Sequence, residues 1–261
     1  MNLGLTDKVA LVTGASAGLG FAAARALFDE GARVAICSRD KTRITAAAAR
    51  LIDDANRVLP LVCDLTDPRQ IDQMIASMES TFGRADILVA NCGGPPLGRL
   101  ASVTEQQWEL GYHLTFMSTI RLVQKISPGM KDRGFGRIVL ITSVSARQPI
   151  DNLLLSNSYR AGLLGFAKSI SSELAPFGIT VNTVMPGYTR TERLEYLAAG
   201  ISAQAGGSPD DVFAGWINSV PARRLGKPEE LAALIAFLAS EPAGYITGTA
   251  TAVDGGRTQG L

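Results

Sequence analysis

The sequence is poor in the residues that most metal and disulfide chemistry requires. It holds one histidine, His113, and three cysteines, Cys37, Cys63 and Cys92, in 261 residues. A lone histidine with no CxxC pair excludes the common zinc sites. Each cysteine lies at or just after an apolar run, which reads as reduced core cysteine in a cytoplasmic protein. Excess charge is missing too: 25 basic residues stand against 24 acidic ones, a net of +1. That balance excludes nucleic acid or an anionic membrane as the main partner. No apolar run approaches the roughly 20 residues of a membrane-spanning helix. The opening MNLGLTDK is polar and leads straight into an apolar run, so it does not read as a signal peptide.

What is present is a large apolar fraction, 46%, enough for the core of one domain over residues 1–261. Strand-length apolar runs alternate with helix-length segments. The strands expected are Lys8–Val12, Arg33–Cys37, Val58–Cys63, Asp86–Asn91, Arg137–Thr142, Ile179–Met185 and Thr249–Val253. They are rich in Val, Ile and Leu with no strict polar alternation, the mark of strands buried on both faces. The helices expected are Leu19–Glu30, Lys41–Asp54, Pro68–Phe82, Glu105–Lys131, Ser156–Pro176 and Pro228–Ala239. This alternation predicts βαβ units in a doubly wound α/β sheet. Residues 190–227 break the rhythm and include the Gly- and Ser-rich stretch Gly200–Pro209. They follow a strand's carboxyl end, where open α/β sheets bind ligands, so a substrate lid is expected there. An oligomer contact or a plain surface excursion is the alternative.

The first strand runs into Thr13-Gly14-Ala15-Ser16-Ala17-Gly18-Leu19-Gly20, and a helix follows. Gly14, Gly18 and Gly20 permit a tight turn and a close approach of backbone to a pyrophosphate. The helix start adds free N–H groups and a positive dipole end. The second strand ends Cys37-Ser38-Arg39-Asp40. Arg39 suits an adenosine 2′-phosphate, which points to NADP(H) with NAD(H) as the alternative. Asp40 reads as the cap of the next helix.

These motifs and several others resemble the short-chain dehydrogenase/reductase family along the whole chain, and within it the β-ketoacyl-acyl-carrier-protein-reductase-like group. TGASAGLG is similar to the family's TGxxxGxG. CDLTD carries Asp64, NCGG carries Asn91, and GRIVLITSVS carries Ser143. PGYTRT at 186–191 and YITGTATAVDGG complete the likeness. The resemblance implies a single Rossmann-type domain with a seven-stranded parallel sheet flanked by helices, a nicotinamide cofactor, and a homotetramer or homodimer. The cofactor contacts it implies are Gly14, Ser16, Gly18, Leu19, Gly20, Ser38, Arg39, Asp64, Leu65, Asn91, Gly93, Arg160, Pro186, Gly187, Thr189 and Thr191.

The family's catalytic set is a Ser, a YxxxK pair and an Asn on the preceding long helix, and the chain departs from it at three of those four places. AGLLGF at 161–166 sets the register, so Arg160 stands at the lysine position and Ser156 at the tyrosine position. Ser143 lies thirteen residues before Ser156. His113 stands where the Asn is expected. Arg160 keeps a positive charge for ribose and phosphate contacts but has no accessible neutral form to relay protons. Ser156 is a far weaker acid than a phenol. His113 is either the acid–base group or a brace of its helix. Ser143 polarises the substrate or caps the strand end. Tyr159 is about 60° around the helix from Ser156, so it reaches a pocket only if the helix start is irregular; otherwise it is a packing or subunit-contact residue.

The function expected is NAD(P)(H)-dependent oxidation or reduction between a ketone and a secondary alcohol, with a non-standard proton relay. The resemblance suggests a 3-oxoacyl thioester as substrate. The alternative is a non-catalytic dinucleotide-binding sensor or subunit. Halohydrin dehalogenases also resemble the family and carry arginine at the lysine position, but the intact glycine turn does not suit them.

Overall fold

The computed structural model describes residues 1–51 and 55–259. Seven strands form one parallel sheet: β1 Val9–Val12, β2 Arg33–Ser38, β3 Val58–Val62, β4 Ile87–Ala90, β5 Gly136–Ile141, β6 Ile179–Pro186 and β7 Ala250–Val253. Their spatial order is β3-β2-β1-β4-β5-β6-β7. The chain therefore winds outward from β1 to β3, crosses back, and winds the other way from β4. The two halves part between β1 and β4, and a crevice opens at the strand ends there.

The apolar runs divide their side chains between two cores. Ala10, Val12, Val34, Ile36, Val89 and Val139 face one side, where they meet Leu27, Phe28, Leu231 and Ile235. Leu11, Ala35, Leu88, Leu140 and Val181 face the other and meet Met74, Met78, Leu122 and Ile126. With both faces covered, alternate residues need not differ in polarity. The expectation of full burial fails at the edges: β3 and β7 each have a free side, β3 exposes Pro60 and Val62, and no residue of β7 is fully buried. Edge strand β7 is held through the fully buried Asn182 of β6. Its Nδ2 donates to the Ile246 carbonyl at 2.7 Å, and its Oδ1 accepts from the Thr249 hydroxyl at 2.8 Å.

Helices α1 Gly18–Asp29, α2 Lys41–Ala49, α3 Pro68–Phe82, α4 Glu105–Gly111, α5 Ser118–Arg133, α6 Leu154–Leu174, α7 Glu192–Ala205, α8 Pro209–Ser219 and α9 Pro228–Leu238 cover the sheet and its ends. Local caps set many of the starts. Asp40 accepts from the Arg43 backbone at the head of α2, as expected, and Asp67 with Pro68 opens α3. Helix α2 stops at Ala49, short of the expected Asp54; residues 52–54 lie outside the described part.

Two further expectations are corrected. The single helix expected over Glu105–Lys131 is interrupted: residues Tyr112–Met117 form a π-helical turn between α4 and α5. An extra residue per turn there shifts the face that each neighbour presents. Within the expected lid no helix is anticipated at the Gly- and Ser-rich stretch Gly200–Pro209, yet α7 runs through it to Ala205 and α8 starts at Pro209. Tertiary packing overrides the low helix propensity of Gly and Ser, since Ala198 and Ser202 are buried.

Candidate functional site

The glycine turn is built around two contacts that no side chain could share. Gly14 has φ +58°, and a Cβ there would stand 2.9 Å from Asn91 Nδ2. A Cβ on Gly20 would stand 2.4 Å from the Gly14 carbonyl oxygen. Asn91 Nδ2 donates to that same carbonyl at 3.0 Å, so Asn91 braces the turn from the end of β4. Ala17 precedes α1 and has no side-chain oxygen to cap it. The first N–H groups of α1 are thus left for an anion in front of the helix. The cradle fits the pyrophosphate of a dinucleotide.

A cavity of about 310 Å³ begins at this turn. Gly14, Ser16, Gly18 and Leu19 form one wall, and Asn91 and Gly93 continue it. Ser143, Ser156 and Arg160 line it, as do Pro186, Gly187, Thr189 and Thr191 from the end of β6. Residues expected at the site from five separate parts of the chain thus meet in one place.

Arg160 is nearly buried, with 8% exposure. Its Nη1 donates to the carbonyls of Ile141 at 3.1 Å and Thr142 at 2.9 Å, where β5 ends. Its Nε donates to Ser156 Oγ at 3.2 Å, so the Ser156–Arg160 pair acts as one hydrogen-bonded unit on α6. Ser143 Oγ accepts from the Ser145 backbone at 3.1 Å. The capping reading of Ser143 is seen directly: the oxygen caps the short helical turn Val144–Ala146, and the residue also lines the cavity. The hydroxyl proton makes no bond within the described residues and can donate into the cavity.

Several expected residues lie elsewhere. Tyr159 does not reach the cavity. Helix α6 starts regularly at Leu154, so Tyr159 points sideways, and its hydroxyl donates to the Trp108 carbonyl at 2.8 Å. It packs among Trp108, Tyr112 and Phe116, with ring centroids 5.6, 6.3 and 6.5 Å away. Burial, and the neighbouring Tyr112, push its hydroxyl above the usual phenol range, the wrong direction for a proton donor. His113 sits in the π-helical turn outside the residues that line the cavity, and its Nδ1 is buried without a partner. Arg39 is exposed at the end of β2 and makes no hydrogen bond or ion pair within the described residues. Ser38 Oγ donates to the Asp40 carbonyl at 3.1 Å. Asp64 Oδ1 accepts from the Thr66 backbone and hydroxyl at 2.9 and 2.8 Å, shaping the loop after β3 in front of the buried Leu65.

The cysteines divide. Burial pushes the thiols of Cys37 and Cys63 up to about 12, which leaves both as inert core groups. Cys92, half-buried, packs against the second core and also lines the cavity beside Asn91.

Sequence reasoning expected a lid at 190–227 but singled out only Thr191 among the residues of that segment that line the cavity. Leu194 and Leu197 of α7 and Leu153 ahead of α6 line it, together with Arg193. The Arg193 Nη2 donates to the Pro95 carbonyl at 2.9 Å, which ties α7 to the loop after β4. Burial lowers the Arg193 pKa; the ring of Tyr196 opposes that shift and the positive charge of Arg160 reinforces it. The sequence signal was available: E-R-L-x-x-L at 192–197 repeats leucine at helical spacing directly after the capping Thr191.

Comparisons with known proteins agree with this arrangement. The family described as enoyl-(acyl carrier protein) reductase matches residues 14–258. The chain is 33% identical to dehydrogenase/reductase SDR family member 4 of Sus scrofa, covering 98% of this chain and 89% of that protein. It is 33% identical to a putative ketoacyl reductase of the monensin polyketide synthase from Streptomyces virginiae, covering 96% and 97%. Among solved structures it superposes on L-sorbose reductase of Gluconobacter frateurii, complexed with NADPH and L-sorbose, with a TM-score of 0.94 at 33% identity over the full length of both chains. An actinorhodin polyketide ketoreductase with NADPH gives a TM-score of 0.93 at 31% identity, over 97% and 98% of the two chains. With the glycine turn, the crevice between β1 and β4 and relatives matched over nearly their whole length, the chain belongs to the short-chain dehydrogenase/reductase family and is an oxidoreductase.

Proposed function

We propose that the protein is an NADP(H)-dependent reductase of ketones, or the corresponding dehydrogenase of secondary alcohols, working without the family's Tyr–Lys pair. One observation carries the reading: Ser143, Ser156 and Arg160 share a cavity with the anion cradle at Gly14–Leu19. The cofactor, when bound, supplies or accepts the hydride. Gly14, Gly18 and Gly20 hold its pyrophosphate, and Asp64 and Asn91 flank the adenosine half. Arg39 takes the 2′-phosphate; its free guanidinium and the NADPH bound to the two structural relatives support NADP(H) over NAD(H).

Arg160 holds the ribose side of the site. Its Nη1 is anchored on two carbonyls, so the guanidinium is fixed in place rather than floppy, and Nη2 makes no bond within the described residues. Ser143 donates its hydroxyl proton as a hydrogen bond to the substrate oxygen and polarises the carbonyl. Ser156 keeps Arg160 oriented and is not the acid, because an alkyl hydroxyl is far too weak. The proton that completes the alcohol comes from water at the open end of the cavity. A second source is His113: it does not line the cavity, but its buried Nδ1 makes no hydrogen bond within the described residues, so it reaches the substrate only through water.

The test is NADPH oxidation with a panel of ketones and 3-oxoacyl thioesters, beside calorimetric NADPH and NADH binding. Ser143→Ala is expected to lower kcat by about 10²-fold, as for loss of one donor to a developing oxyanion, with NADPH affinity unchanged. His113→Ala separates the proton sources: a loss of comparable size makes His113 the acid, and unchanged turnover leaves the proton to water. Full turnover in Ser143→Ala would refute the placement of the carbonyl.

A further inference from the structure

Three charged residues line the cavity: Arg160, Arg193 and Glu192. Glu192 does not neutralise the other two, because its carboxylate is turned outward to Arg43 on α2 at 2.5 Å. Arg160 rests on backbone carbonyls, which are dipoles and not counter-ions. Arg193 has a single hydrogen bond, to the Pro95 carbonyl; its Nε and Nη1 make none within the described residues. Among the described residues, then, two guanidinium groups face one partly enclosed cavity with no free carboxylate against them. Like charges held together in a desolvated site are unfavourable until an anion joins them.

The dinucleotide phosphates have their own cradle at the glycine turn and do not account for Arg193. That residue is anchored instead at the loop after β4. It is clamped to the Gly94–Pro95 segment, where a Cβ on Gly94 would stand 2.7 Å from its Nη2. Around it the wall is apolar, formed by Leu153, Leu194 and Leu197. A carboxylate suits such a planar, side-anchored guanidinium.

We infer that Arg193 is a specificity-determining residue that receives a substrate carboxylate, so that the preferred substrates are oxo acids and their hydroxy-acid products. The inference rests on the reading of this cavity as the site of hydride exchange. In the reductive direction the carbonyl carbon takes a hydride from the reduced nicotinamide, and the oxygen takes one proton. The hydroxy acid and the oxidised cofactor leave, and the carboxylate is unchanged throughout. A 3-oxoacyl thioester lacks that carboxylate and becomes the poorer substrate.

The experiment compares acetoacetate with its methyl ester and its N-acetylcysteamine thioester, and levulinate with its methyl ester, on the full chain with NADPH. The wild type is expected to favour each acid over its ester by about thirtyfold in kcat/KM, the scale of one charge-assisted bidentate contact. Arg193→Met keeps the aliphatic stem and is expected to erase that preference while leaving calorimetric NADPH affinity within about twofold. Arg193→Lys is expected to restore part of it. Equal rates for acid and ester in the wild type would overturn the inference and leave the reductase reading standing. So would an equal loss for both in Arg193→Met, or a loss of NADPH affinity as large as the loss of activity. If nothing turns over, levulinate is titrated calorimetrically into the NADP⁺-loaded protein. Binding that depends on Arg193 then upholds the carboxylate site while the reductase reading falls; absence of binding overturns both.

Discussion

At the scale of single residues, the site depends on atoms that are absent. Gly20 has an ordinary φ, so no backbone strain demands glycine; the demand comes from the Gly14 carbonyl, 2.4 Å from where a Cβ would sit. Gly20→Ala is therefore expected to push α1 off the turn. NADPH binding should fall by at least about tenfold in calorimetry, and the melting temperature should drop too, because the clash is with buried backbone. Retention of full affinity would show that the turn is not the pyrophosphate site. The same scale separates Arg160 from Tyr159. Motif spacing placed Arg160 correctly on the cavity side. Tyr159 lies on the same helix, but one aromatic cluster and one carbonyl draw it away.

At the scale of elements, caps and ion pairs position the pieces that close the site. Helix α9 starts at Pro228, and Glu230 in its first turn accepts from the Lys227 backbone at 2.7 Å and from both Arg224 nitrogens at 2.8 and 2.5 Å. The Arg224 guanidinium holds the Glu230 carboxyl down to about 2, against an ordinary 4.5. A carboxyl depressed in the folded state stabilises above its unfolded pKa and loses that contribution as pH falls through the folded value. The melting temperature of wild type should exceed that of Glu230→Gln above about pH 5. The gap should narrow between about pH 4.5 and pH 2; a gap independent of pH would assign the effect to packing. High salt should shrink it too, since the pair is half exposed. Across the crevice, the exposed Arg43–Glu192 pair ties the head of α2 to the head of α7. A pair of that exposure contributes no more than about 1 kcal/mol, so its effect is to turn Glu192 out of the cavity more than to stabilise the fold. The π-helical turn at 112–117 was invisible to periodicity, because a window of helical spacing absorbs one extra residue without losing its apolar stripe.

At the scale of the whole molecule, the two halves of the sheet meet at the crevice, so a bound dinucleotide bridges them. Ligand that binds only the folded chain stabilises it by mass action. NADPH at about a hundred times its Kd should add about 2.7 kcal/mol and raise the melting temperature, and NADH should do so only at higher concentration. A larger shift with NADH would reverse the reading of Arg39. The parallel sheet was legible because strands covered on both faces must be apolar throughout, and a run such as Arg137–Thr142 can be little else. The edge strands were legible as strands but not as edges, since which strand ends a sheet is a property of winding and not of any local window.

The sequence by itself determined the alternation of strands and helices, the glycine turn and the register that puts Arg160 and Ser156 four residues apart on one helix. Each is a local matter of residue size, backbone freedom and spacing. Only the tertiary structure decided which side chains share the cavity. It drew Tyr159 out to Trp108, kept His113 off the cavity lining and turned Glu192 away to Arg43. It also brought Arg193, from a segment expected as a lid, to the cavity wall beside the loop after β4. Those outcomes depend on how α6 and α7 pack over the ends of β4, β5 and β6, distances that no short stretch of chain encodes.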